Sequence, residues 1–291
     1  MKTSALIQSC TIGVCSIFFL QGCSTTTPAS STVPVPSPRV DSTSTKSPSI
    51  NWEPAILPGK WRYLIQDSST VSINNDTTTP VEPIESVMHY TMGVTDSGGT
   101  LFITGQVDSL LVNTRLPGKV KADTSVTVTF HNSISKQGHV GAVASVDEKN
   151  CTGGSASPVS RISELVIALP VHSLKVGDRW SDTSSTTTCH GKIPLMHRAV
   201  REYELVDLTS CNHDGVRVQR VVSDTFTGSS TESTNHLSAS GSGTSRSILC
   251  LDRNTGILLT SDGQSQIELV VTTTRGVFPF TQKTSTHITT Q

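Results

Sequence analysis

The stretch "ESVMHYTMGVTDSGGTLFITGQVDS", residues 85 to 109, reads as two strands joined by a turn. Met88, Tyr90, Met92 and Val94 alternate with smaller or polar residues along the first half, and Leu101, Ile103 and Val107 do so along the second. Successive strand side chains point to opposite faces, so a period of two gathers each apolar set on one side. Between them "TDSGGT" places two glycines where a tight hairpin needs positive φ. The stretch therefore predicts an antiparallel hairpin with one buried and one solvated face.

The same grammar extends in both directions. In "GKWRYLIQ", residues 59 to 66, Trp61, Tyr63 and Ile65 share a face, and in "SVTVTFHN", residues 125 to 132, so do Val126, Val128 and Phe130. Further strands are expected in "SELVIALP" (163 to 170), "HRAVREYELVDL" (197 to 208), "GVRVQRVVSDTF" (215 to 226), "TSRSILCLD" (244 to 252) and "QSQIELVVTTT" (264 to 274). "DRNTG", residues 252 to 256, has the turn chemistry to join two of them. No long window carries a helical stripe. The expected fold is mostly β: an antiparallel meander forming a curved open sheet or half-barrel, with little helix and stabilised by disulfides.

The chain divides into three parts. Residues 1 to 22 have a signal-peptide layout, with Lys2 ahead of an apolar run whose dense part, Thr11 to Leu20, is roughly half the ~20 residues a spanning helix needs. Leu20, Gln21, Gly22 and Cys23 resemble a bacterial lipobox, which implies cleavage before Cys23 and a diacylated thiol there. Two acyl chains are enough for stable anchoring. Residues 23 to 50 then read as a disordered Ser/Thr/Pro-rich tether, with Arg39, Asp41 and Lys46 its only charges. Residues 51 to 291 form the β domain. The resulting partner is a membrane, reached through the N-terminal lipid in a bacterial envelope, and Ser24 is compatible with outer-membrane sorting toward periplasm or surface. A formal net charge of -1 without a basic cluster argues against nucleic acid.

Of seven cysteines, Cys10 and Cys15 fall in the leader and Cys23 is the lipid site, which leaves Cys151, Cys189, Cys211 and Cys250. A long hairpin turning near residues 230 and 231 would set Cys211 against Cys250, leaving Cys151 for Cys189. Each loop would encircle close to forty residues, worth roughly 3 to 4 kcal/mol in the chain-entropy account. Zinc is not expected, because Cys189 and His190 diverge on an extended segment while tetrahedral ligands must converge. Neither a cofactor nor a catalytic residue is indicated. The chain lacks a Gly-x-Ser-x-Gly elbow, a His-Glu-x-x-His pair and a phosphate loop. Glu202 and Glu204, on one strand face near Arg198 and Arg201, read as a solvated ion-pair ladder.

One further stretch carries a resemblance. "LVIALPVHSLKVGDRWSDT", residues 165 to 183, followed by "LDRNTGILLTSDG", residues 251 to 263, resembles a group of uncharacterised bacterial lipoproteins whose fold is similar to the β half-barrel of the periplasmic lipoprotein carriers. The resemblance spans about residues 165 to 270. It implies a concave sheet face able to hold an acyl chain, and it lends no catalytic residues. In "KVGDRW", Val176 continues the apolar set, Gly177 and Asp178 turn the chain, and Trp180 either packs the core or meets the ligand. The function expected is that of a non-catalytic, lipid-anchored envelope lipoprotein. It would bind an apolar or amphiphilic ligand in a cavity lined by Met88, Tyr90, Met92, Val126, Val128 and Phe130. The alternative is a structural or interaction lipoprotein with a filled core and a protein partner in the envelope.

Overall fold

The structure is a computed structural model, and it describes residues 51–73, 83–113, 122–123, 129–141, 159–190, 193–211, 215–230 and 237–291. The leader, Cys23, the tether, Val126, Val128 and Cys151 lie outside the described residues. Phe130 and Cys189 are described only as strand positions.

The strands in chain order are β1 (Gly59–Ile73), β2 (Ile84–Ser97), β3 (Thr100–Asn113), β4 (Ala122–Asp123) and β5 (Thr129–Ile134). A short helix α1 (Val159–Leu165) follows, then β6 (Arg179–His190), β7 (Ile193–Cys211), β8 (Gly215–Ser230), β9 (Leu237–Asp252), β10 (Leu258–Thr273) and β11 (Gly276–Thr290). All belong to one antiparallel sheet of order β4-β3-β2-β1-β11-β10-β9-β8-β7-β6, with β5 also on β3. The chain starts mid-sheet at β1 and meanders to one edge. It then crosses over by way of α1 to the opposite edge and meanders back until β11 pairs with β1. The mostly-β, open-sheet expectation holds.

The opening stretch folds as read. Met88, Tyr90, Met92 and Val94 on β2 and Leu101, Ile103 and Val107 on β3 are all buried. Gly98 and Gly99 have φ of 64° and 88°, and the Gly99 amide donates to Asp96 Oδ1 at 2.8 Å. One irregularity follows: the register slips between His89 and Tyr90, so Asp108 bulges out of β3. A bulge residue shifts the phase of everything beyond it. Here that turns Leu110 opposite Met88, to the buried side.

Two sequence expectations are corrected. "SELVIALP" is no strand: its first residues close α1, and Val166 to Leu169 run buried across the inner face. An unbroken apolar run is one that both a buried strand and a core-filling segment require, so periodicity does not separate them. Val176 is 54% exposed and leaves the apolar set, because Gly177, at φ 92°, turns the chain outward there. The rest of "KVGDRW" behaves as read. Asp178 Oδ2 accepts from the Lys175 amide at 3.0 Å, and Trp180 enters β6 with its ring stacked on Tyr203 at 5.3 Å.

Cys211 and Cys250 are bonded, with Cα atoms 5.8 Å apart, inside the usual disulfide range. The hairpin behind that expectation turns elsewhere, however. Ser230 pairs with Leu237, so the turn lies beyond residue 230, and Cys250 faces Arg217 while Cys211 faces Gly215. The bridge joins β7 to β9 over the first residue of β8. A Cβ at Gly215 would come within 2.6 Å of Cys211 Cβ and 2.8 Å of Cys250 Sγ, so only glycine leaves room for the bond.

Candidate functional site

The registers place inward side chains in rows across the sheet. Toward the end where residues 51–58 enter, the inner face is apolar. Tyr63, Ile65, Met88, Tyr90, Met92, Ile103, Leu205, Val218, Leu249 and Ile288 pack there against Ile162 and Leu165 of α1 and Ile167, Leu169 and Leu174 beyond it. Gly105, lacking a side chain, makes space for the Tyr90 ring, with Ile162 alongside. Met88, Tyr90 and Met92, expected to line a ligand cavity, are thus buried under the chain's own segment.

Sheet side chains hold that segment down by its carbonyls. The Trp180 indole donates to Ala168 O at 2.7 Å, and Arg220 Nη1 donates to Glu164 O at 3.4 Å. The seven-residue α1 has no basic residue in its last turn, and Arg220 supplies a cation to its carbonyl end from the sheet. Trp52 anchors the entering chain, with its indole donating to Arg253 O at 2.9 Å and its backbone bridged to Leu174. Trp180 therefore serves the packing reading: its donor is spent on the plug and its ring on Tyr203.

Beyond the plug, the same inner face becomes polar. Arg220, 8% exposed, also donates from Nε to Ser247 Oγ at 3.0 Å. One row further, Arg201 is buried and donates to Ser184 Oγ at 2.8 Å and Asp182 Oδ2 at 3.3 Å. Then come Asp224, hydrogen-bonded at 2.8 Å to His197, whose ring stacks on Phe226, and Asp67, which accepts from Thr286 at 2.7 Å. Burial lowers the Arg220 pKa and raises that of Tyr203 beside it, since each charged form loses its hydration. The solvated ladder expected of Arg201 is corrected. Arg201 faces inward, and Glu204 pairs on the outer face with Arg179 at 2.7 Å. Between α1 and this belt lies a cavity of about 40 Å³, room for water and not for an acyl chain. A second apolar cluster, Leu195, Ala239, Ile267, Leu269, Val271 and Phe280, closes the far end.

A far larger concavity lies on the opposite face. A groove of about 860 Å³ crosses β2, β1, β11, β10, β9 and β8, within the size range of small-ligand sites. Its floor is one register row, Val87, Gln66, His287, Asp262, Ile248 and Gln219. The adjacent row of Glu85, Ser68, Ser285, Gln264 and Arg246 completes it. His287 Nδ1 lies 2.6 Å from Asp262 Oδ1, both partly solvated, and Ile248 is exposed among these polar groups. Amides, hydroxyls, both signs of charge and two aliphatic side chains can thus address a polar surface. Among the described residues no three His, Cys, Asp or Glu side chains converge as a metal site would need.

Sequence reading missed both the belt and the groove. Each is assembled from residues far apart in the chain that only strand register brings into line. A partial signal existed in β8, where Arg220 and Asp224 occupy the inward phase set by Val216, Val218, Val222 and Phe226.

No family model matches the chain, and no curated protein does. Among solved structures the chain is similar to DynF from the dynemicin biosynthesis pathway of Micromonospora chersina. The identity is 8% and the TM-score 0.25, covering 89% of this chain and 92% of that one. What the fold and its surfaces define is a class: an open antiparallel sheet plugged on its inner face and grooved on its outer one.

Proposed function

We propose that the chain is a lipid-anchored, non-catalytic lipoprotein of the bacterial cell envelope that acts by binding a protein partner along its outer groove. The anchor rests on the Leu20-Gln21-Gly22-Cys23 motif and the tether that follows it. The observation that carries the interaction reading is the plug. Residues 162 to 169 occupy the inner face at the place where an acyl ligand would lie, and Trp180 and Arg220 bind its carbonyls. That favours a filled core with an external contact surface over a carrier of apolar ligands. The groove offers peptide-like hydrogen-bonding groups in two parallel rows, which suits a polar segment of another protein better than a lipid tail.

A photo-crosslinking residue at Gln264, in the full chain in its own envelope, tests this. The expected result is one discrete adduct that disappears when Arg246→Glu and Asp262→Lys reverse the groove's charges. Adduct formation unaffected by that reversal would overturn the assignment of the groove. In parallel, Cys23→Ser is expected to release the protein from membranes, and continued membrane fractionation would remove the anchor.

A further inference from the structure

The two edges of the sheet are built differently. At the β5 edge the chain folds back over itself: Ile134 bridges Val140, the Gly141 amide donates to Ser133 O at 2.8 Å, and Asn132 Nδ2 donates to Gly141 O at 3.0 Å. Next to it β4 is only two residues long. Short strands and covering turns are how proteins blunt an edge against further pairing. Among the described residues the β6 edge has neither device. Its twelve residues pair with β7 without a register shift, from Arg179 opposite Glu204 to His190 opposite Ile193. Peptide groups alternate in direction along a strand, so about half of those in β6 point away from β7. No strand among the described residues receives them.

The side chains do not guard this edge either. Thr183 to Thr188 reads TSSTTT, free of charge and proline. The two charges of β6 lie at its start and pair with the neighbouring strand β7, Arg179 with Glu204 on the exposed outer face and Asp182 with Arg201 on the inner one.

We infer that the free edge of β6 is a docking edge for a second copy of this chain, pairing antiparallel with its own β6 about a two-fold axis. Self-pairing centred on Thr183 to Thr188 sets Ser and Thr opposite Ser and Thr, with no like charges facing. Such cross-strand hydroxyl pairs contribute roughly 0.2 to 1 kcal/mol each. Between Thr183 and Thr188 the edge has no charge or large side chain that would select a foreign strand. Closure follows from the asymmetry of the molecule: the β5 edge is capped, so each copy has one edge to offer and assembly stops at a dimer. This goes beyond the groove reading and is independent of it, since the groove lies on a face and stops at β8.

Sedimentation equilibrium of the full chain carrying Cys23→Ser, which removes the lipid, tests the inference. A dimer is expected at micromolar concentration, and Thr183→Lys with Ser185→Lys is expected to weaken it at least about tenfold while far-UV circular dichroism stays unchanged. His131→Lys, on the capped edge, is expected to leave the dimer intact. A monomer at all concentrations up to about 100 μM, or a dimer indifferent to the two lysines, would overturn it. Should the lysine variant fail to fold, hydrogen exchange of the unmutated edge decides: β6 amides are expected to slow with rising protein concentration and β5 amides are not. Equal exchange at every concentration contradicts the dimer.

Discussion

Two levels of one inner face, formed by the same strands, are filled in opposite ways. At the plugged level Tyr63, Tyr90, Met92 and Leu249 meet Ile162, Leu165 and Ile167, and burial of apolar area stabilises the contact. One or two rows along, Arg220, Arg201, Asp224 and Asp67 are buried to a similar degree and held by hydrogen bonds to serine, threonine, histidine and backbone partners. Groups of this second kind stabilise little on balance, because desolvation offsets most of their attraction, yet removing one partner is expensive. The difference teaches that the plug supplies stability while the belt positions it, with Arg220 as the residue common to both.

The largest expected break in that comparison comes from the plug. Leu165→Ala should lower unfolding free energy by about 2 to 5 kcal/mol, read from the urea midpoint. A loss below about 1 kcal/mol would mean that the plug is not part of the core. Replacing both Cys211 and Cys250 by Ser should cost about 3 to 4 kcal/mol, and non-reducing peptide mapping of the unmutated chain should recover the two joined to each other. Arg220→Met tests the belt. It strands Ser247 and the Glu164 carbonyl, with an expected cost of about 1 to 3 kcal/mol and faster hydrogen exchange in α1 in particular. Uniform exchange across the sheet would deny Arg220 its link to the plug.

The smallest effect at neutral pH is a tyrosine one. Burial, with Tyr90 adding, raises the Tyr63 pKa, and burial also raises that of Tyr203. Both phenols stay protonated in the fold at pH values where the unfolded chain ionises, so their contribution is complete below about pH 10 and falls as pH rises above it. Tyr63→Phe should therefore flatten the loss of stability between pH 8 and pH 11, at a cost of about 1 kcal/mol for the hydrogen bond to Leu258 O. An unchanged pH slope would count against the burial of Tyr63.

The meander itself was legible because alternation is a local property. Met88, Tyr90 and Met92 announce their face within five residues, and "TDSGGT" and "DRNTG" announce their turns, the latter tied by three bonds to Asp252 Oδ1. What fills the face was not legible. "SELVIALP" satisfies a strand and a plug equally, and the choice depends on a crossover between sheet edges that no local pattern records. The Cys211–Cys250 pairing was reached through a hairpin centred a few residues away from the real one. Strand register tolerates that error because the bond spans the end of β8. The groove was illegible for a third reason: its floor takes one residue or so from each of six strands.

The measurement that bears most directly on the filled inner face is native mass spectrometry of the full chain carrying Cys23→Ser, produced in an oxidising compartment and then titrated with a fluorescent fatty acid. The plug predicts an apo mass and no saturable uptake, because Ile162, Leu165 and Ile167 already occupy the apolar level of the sheet. A stoichiometric acyl ligand, lost on substitution of Met92 or Tyr90, would contradict it and return the inner face to the role of a lipid site.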